Sequence, residues 1–154
     1  GKLMQPRIVK KIDTNSGLLI EQYRPEMIGR VLSEEASRQM REVLKTVTQQ
    51  DGTARRADVD GFTEGGKTGT AWKWNVKTKT YDKDRSTVSF VGMLPAENPA
   101  FVCVVVIDDP QTTDVKHGGG SIAAPIWKRI AERTAAHMHL TPTEEISEQL
   151  TKNK

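Results

Sequence analysis

The run Gly61-Phe62-Thr63-Glu64-Gly65-Gly66-Lys67-Thr68 satisfies the phosphate-loop pattern GxxxxGK[ST], and FVCVVVI followed by Asp108 and Asp109 could supply an apolar strand and acids for Mg²⁺. That chemistry would be nucleotide hydrolysis. It needs a buried strand before the first glycine and a helix starting at the lysine, because helix N-terminal amides cradle the phosphates. Here the upstream ARRADVD is charged, and the downstream TGTAWKWNV alternates β-branched and aromatic residues on a period of two. The same residues have a second use. As an edge strand beside a serine nucleophile, Lys67-Thr68-Gly69-Thr70 places two hydroxyls two residues apart on one face, with a glycine between them that leaves room for a substrate. Two hydroxyls can hold one carboxylate. Lys67 supplies the positive field, and a free strand N–H can stabilise an oxyanion at the carbonyl under attack. Taken alone, GGKTGT is also how any glycine-rich strand begins.

The elements that must position this tetrad follow from periodicity. Thr68, Thr70, Trp72, Trp74 and Val76 alternate with Lys67, Gly69, Ala71, Lys73, Asn75 and Lys77, which predicts a strand from Lys67. KTKTYDKDR reads as a polar hairpin tip, STVSFVGML as the returning strand, and the seven apolar residues FVCVVVI as a central strand buried on both faces. The glycines at 118–120 open a helix from about Ser121 to His139, with Ile122, Ile126, Ile130 and Thr134 as its inner stripe, flanked by Trp127, Ala131 and Met138. Upstream, PRIVKKI, a turn over Asp13–Gly17 and Leu18–Ile20 predict a hairpin. Ser33 caps a helix from about Glu34 to Gln49 whose stripe is Ala36, Met40, Val43, Leu44 and Val47. The turn-rich ARRADVDGFTEGG should be loop, and Thr143 should cap a last short helix to about Leu150. The fold class is α+β, an antiparallel sheet of at least three strands flanked by helices.

Composition narrows the class. The chain has 154 residues, 36% of them hydrophobic, and 23 basic against 20 acidic side chains. A net charge of +3 is a weak field, and its Lys and Arg are interleaved with acids as on a solvated helix face, so no nucleic-acid partner is expected. No apolar run approaches the length of a membrane span, and the first residues lack a signal-peptide core. The single cysteine, Cys103, excludes an internal disulfide and a thiolate metal site, and reads as a small core residue. No metal or organic cofactor is implied. His137 and His139, two apart on a helix, point away from one another and read as surface residues, and His117 as a loop residue. Asp108 and Asp109 read as turn formers before Pro110, and Trp72 and Trp74 as core-facing strand aromatics.

Three ordered blocks, GGKTGTAWK, SFVGMLPAENPAFVCVVVIDDP and GGGSIAAPIWKRI, resemble the C-terminal part of the transpeptidase domain of class B penicillin-binding proteins, closer to the division and sporulation type than to the elongation type. QPRIVKKI and MREVLKTVTQQDGTA match in order as well, so the resemblance covers about residues 1–140, leaving 141–154 as a tail. Such enzymes carry S-x-x-K and S-x-N motifs before KTG. Ser16, Ser33, Ser37, Ser86, Ser89, Ser121 and Ser147 fit neither. The chain therefore looks like a piece of a larger protein and, alone, should be inert.

The resemblance implies a serine transpeptidase or β-lactamase-like fold and peptidoglycan D,D-transpeptidation. It implies Lys67 and Thr70 as catalytic residues and Lys67, Thr68, Gly69 and Thr70 as substrate-binding residues. Implied partners are stem peptides, β-lactam antibiotics, the remainder of the domain carrying S-x-x-K and S-x-N, and division or elongation machinery. The implied location is the extracytoplasmic face of the bacterial membrane, with the anchor outside this chain. A β-lactam sensor or scaffold built on the same domain is the alternative.

Overall fold

The structure, a computed structural model, describes residues 1–112 and 117–143. The chain divides into two units, Gly1–Gln39 and Met40–Lys154.

In the first unit two short ladders form. β1 (Lys2–Met4) pairs antiparallel with β4 (Met27–Arg30), and β2 (Lys11–Asp13) with β3 (Leu19–Gln22). The β2–β3 hairpin is the expected one, closed by the Gly17 amide on the Thr14 carbonyl at 2.9 Å, with Gly17 at φ 83°, where only glycine is unstrained. Its first strand is shorter than expected. Pro6 offers no N–H, and Arg7–Lys10 stay outside the ladder although the Lys10 carbonyl still accepts the Tyr23 amide at 3.0 Å. The β1–β4 pairing had no sequence signal.

α1 (Glu34–Lys45) starts as expected, the Ser33 hydroxyl accepting the Ala36 amide at 3.0 Å and Glu34 and Glu35 occupying its first turn. It stops four residues before Gln49. Thr46 and Thr48 turn their hydroxyls onto the carbonyls of Val43 (2.8 Å) and Lys45 (3.0 Å), and the chain tightens into three-residue turns there. None of its residues is buried, and Met40 and Val43 of the expected stripe are exposed.

The second unit is built on a three-stranded antiparallel sheet of order β5–β6–β7: β5 (Gly65–Asn75), β6 (Thr80–Leu94) and β7 (Phe101–Asp108). The expected loop before β5 holds one 3₁₀ turn, Arg55–Ala57. The hairpin tip is only Val76–Lys79, its amides at Lys77 and Thr78 held by the Asn75 side chain at 3.0 and 3.3 Å. Tyr81 therefore belongs to β6, opposite Trp74, rather than to the tip.

Two expectations about burial are corrected. β7 is an edge strand among the described residues, and only one of its faces is covered. Val105 is buried with Phe101, Cys103 and Ile107 packed beside it, while Val102, Val104 and Val106 are 59–67% exposed. Seven apolar residues in a row cannot reveal which face lacks a neighbour. In α2 (Ala123–His137), slightly shorter than Ser121–His139, the inner stripe is Ala123, Ala124, Trp127, Ala131 and Ala135; Ile126 and Ile130 face outward at about 40% exposure. The sheet decides this. A Cβ on Gly92 would lie 2.5 Å from the Trp127 ring, so the helix sits close enough that only alanines and one recessed indole fit. Trp127 stacks edge-to-face on Phe90 (5.3 Å) and donates its Nε1 proton to the Cys103 carbonyl at 3.1 Å.

Of the short helix expected from Thr143 to Leu150, all but Thr143 lies outside the described residues. No described helix is long and apolar enough to cross a membrane.

Candidate functional site

β5 runs unbroken through Lys67, so the helix that a phosphate loop requires at that lysine does not form. The strand pairs with β6 on one side only. Its other edge carries no strand among the described residues. Lys67 pairs with Val91, Thr68 with Phe90, Gly69 with Ser89 and Thr70 with Val88, which puts Thr68 and Thr70 on the face shared with buried Val88 and with Phe90, which packs on Trp127 of α2. Lys67 and Thr70 are exposed; Thr68 and Gly69 are half-buried. The exposed Lys67 ammonium curls back to the Thr68 carbonyl at 2.9 Å, which holds the positive charge beside the strand.

The structure adds two neighbours that sequence reasoning missed. The Thr53 hydroxyl lies 3.3 Å from that of Thr68, orienting it across a loop fifteen residues long in sequence. The Gly118–Gly120 turn lies directly on the tetrad. A Cβ on Gly119 would meet the Ser89 carbonyl oxygen at 2.0 Å and the Gly69 backbone at 2.9 Å, and one on Gly118 would stand 3.8 Å from the Thr70 hydroxyl. Three successive glycines were the available signal for such a backbone approach. Gly69 itself has a structural reason to lack a side chain, since its Cβ would fall 2.5 Å from the Ser89 hydroxyl. The turn continues straight into α2, the Ala124 amide bonding the Gly119 carbonyl at 2.8 Å.

The loop leading into β5 is pinned at several points. Thr63 donates its amide to the Thr143 hydroxyl at 3.0 Å and its hydroxyl to Glu97, while Lys45 holds the same Glu97 at 2.8 Å. Next along the chain, Glu64 is buried, its carboxylate accepting the Val59 amide at 3.2 Å. Burial pushes the Glu64 carboxyl up to about 7, against the opposing pull of the Val59 amide, with Asp58 adding to the rise and Lys128 reducing it. Its folded value thus exceeds its ordinary 4.5, so between those limits the folded state binds more proton than the unfolded, and this group's contribution to stability declines as pH rises. Glu64→Gln is expected to flatten that decline, seen as urea midpoints at about pH 5 and about pH 8 that differ less than in the parent. An unchanged difference would contradict the assignment.

The remaining candidates divide. His137 and His139 are exposed, as expected, and His117 is half-buried with its Nε2 3.4 Å from the Thr112 carbonyl. Cys103 is half-buried against the core, and desolvation raises its thiol pKa, which suits a packing residue. Asp108 and Asp109 do more than form a turn. Asp108 takes Lys73 at 2.8 Å and Asp109 takes Arg85 at 2.7 Å, and each carboxyl is held below its ordinary value chiefly by that hydrogen bond. Trp72 and Trp74 are corrected outright: they are 40% and 53% exposed rather than core-facing, on the part of the β5–β6 hairpin that runs on past the end of β7. No cluster of metal-ligating side chains forms among the described residues.

Comparison with known proteins agrees with this geometry. The penicillin binding protein transpeptidase domain matches residues 1–132. The chain is similar to stage V sporulation protein D of Bacillus subtilis (38% identity, 92% of this chain and 21% of the relative). It is also similar to the probable peptidoglycan D,D-transpeptidase PenA of Neisseria gonorrhoeae (33%, 77% and 20%). Among solved structures it superposes on penicillin binding protein 3 of Mycobacterium tuberculosis complexed with aztreonam, with a TM-score of 0.77, 30% identity, and coverage of 92% of this chain and 33% of that one. The transpeptidase domain of Burkholderia pseudomallei penicillin-binding protein 3 gives a TM-score of 0.69 at 34% identity, covering 82% and 37%. The chain spans about a fifth of the length of the curated relatives it matches. Together with the KTG strand at a sheet edge and the ordered blocks around it, these likenesses establish that the chain belongs to the penicillin-binding protein transpeptidase family.

Proposed function

We propose that this chain is the substrate-gripping part of a peptidoglycan D,D-transpeptidase acting at the extracytoplasmic face of the bacterial membrane. The observation that carries the reading is the open edge of β5, with the Thr68 and Thr70 hydroxyls on one face and the Lys67 ammonium folded against the same strand. In the longer protein a serine from the S-x-x-K motif attacks the carbonyl between the two terminal D-alanines of a stem peptide. The terminal D-alanine leaves as an amine, the serine holds the acyl group, and an amine of a neighbouring stem displaces it to form the cross-link. Thr68 and Thr70 donate their hydroxyl protons to the terminal carboxylate, Thr53 orients Thr68, and Lys67 supplies the opposing charge. The Thr70 amide meets the oxyanion as it forms. A penicillin presents a carboxylate at a similar offset from its reactive carbonyl and so occupies the same groups.

The uncovered apolar residues support a larger assembly. Val102, Val104 and Val106 stand exposed on β7, and Leu44, Val91, Met93 and Val102 line an apolar groove of about 250 Å³ beside β5. The rest of the domain, bearing S-x-x-K and S-x-N, is the partner we assign to them, and division machinery is the expected partner of the whole. A fluorescent penicillin is expected to label the longer protein covalently, and purified stem peptides to be cross-linked by it. Labelling without cross-linking would identify a β-lactam sensor instead.

A further inference from the structure

The β5–β6 hairpin outruns the sheet. β7 pairs with β6 only over Thr87–Leu94, so the strand segments around Trp74 and Tyr81 project as a two-stranded ribbon. Large aromatics stand uncovered there: Trp72 is 40% exposed, Trp74 53% and Tyr81 64%, with the last two meeting edge-to-face at 5.3 Å and 76°. Their direction is fixed by Lys73, which is drawn to Asp108 at 2.8 Å on one face of the strand, leaving Trp72 and Trp74 on the other. That other face is the one that carries Thr68 and Thr70. Two hydroxyls are therefore followed along β5 by two indoles, the pairing with β6 shifting register between Trp72 and Lys73.

Resting on the proposed transpeptidation, this row has a polarity. If the terminal carboxylate sits at Thr68 and Thr70 and the carbonyl under attack lies beside the Thr70 amide, every donor residue before that carbonyl must run towards Trp72 and Trp74. From Thr70 to Trp74 the strand covers about 13 Å, at about 3.3 Å per residue. An extended stem of three further residues spans about 10 Å at the same rise, and the next group on the donor is the amino-sugar ring that bears the stem. We propose that Trp74 and Tyr81 form a subsite for that sugar ring. An indole face is about the size of one pyranose, and its electron-rich surface attracts the ring's C–H bonds while the sugar hydroxyls stay in water. Neither aromatic is needed by the fold, since the core of this unit gathers around Phe90 and Trp127.

The test compares two donors in the longer protein: a stem peptide carried on its disaccharide, and the same peptide without sugar. Trp74→Ala is expected to raise KM for the sugar-bearing donor about tenfold. The sugar-free donor and penicillin acylation should change less than about twofold, and Trp74→Phe should restore most of the loss. Thermal unfolding is measured alongside to show an unaltered fold. Equal losses on both donors would place the aromatics against the peptide, and no loss on either would assign them to a protein partner or a membrane surface; both overturn the subsite. Failure of the unsubstituted protein to react with either donor or with penicillin would instead remove the transpeptidase reading on which the subsite rests.

Discussion

Lys67→Ala, placed in the longer protein, is expected to lower the efficiency of penicillin acylation by about 10–10²-fold, the loss that follows from removing a charge-assisted contact of about 1.5–3 kcal/mol to the bound carboxylate. The size of the effect follows from position. The ammonium lies against the strand that offers both hydroxyls, held by the Thr68 carbonyl, so it stands beside the bound carboxylate. The fold should not suffer, because the side chain is exposed and its one recorded hydrogen bond is local. Stopped-flow acylation with a fluorescent penicillin, with thermal unfolding as control, checks the prediction. A variant that melts like the parent yet acylates as fast would remove Lys67 from the site.

Trp127→Ala should be the most destabilising single change in the second unit, costing about 3–5 kcal/mol. The indole is fully buried, fills the space over Gly92, packs on Phe90 and satisfies the Cys103 carbonyl, and the surrounding alanines cannot expand to refill the hole. Ile126→Ala, only one residue away, should cost under about 1 kcal/mol because that side chain faces outward. Pulse proteolysis across a urea series separates the two. The consequence reaches the site, since α2 is continuous with the Gly118–Gly120 turn that lies on Gly69. A loosened helix should therefore also slow acylation.

Some of this was legible in the sequence and some was not, for identifiable reasons. β5 announced itself because a period-two pattern of threonines, tryptophans and glycines cannot be read as a helix, and the capping serine and acidic first turn marked the start of α1. The position of α2 was clear while its inner face was not. Ile122, Ile126 and Ile130 are the most apolar positions, but the close approach at Gly92 selects small residues instead, and that distance is a property of the packed pair rather than of the helix. The β7 run and the two tryptophans of β5 misled for a related reason: residue type signals that a surface is apolar, and only the sheet's extent shows whether anything covers it. Within the site, Lys67, Thr68, Gly69 and Thr70 are neighbours in sequence and could be read together. Thr53 reaches Thr68 from fifteen residues away through irregular chain, where no periodicity exists to predict it.

The most direct measurement runs one fluorescent penicillin side by side against the longer protein and against this chain alone, followed by intact mass. The account predicts one covalent penicillin per molecule of longer protein and none on the isolated chain, whose seven serines fit neither nucleophile motif. Covalent labelling of the isolated chain, or a longer protein that takes up no penicillin at all, would contradict it.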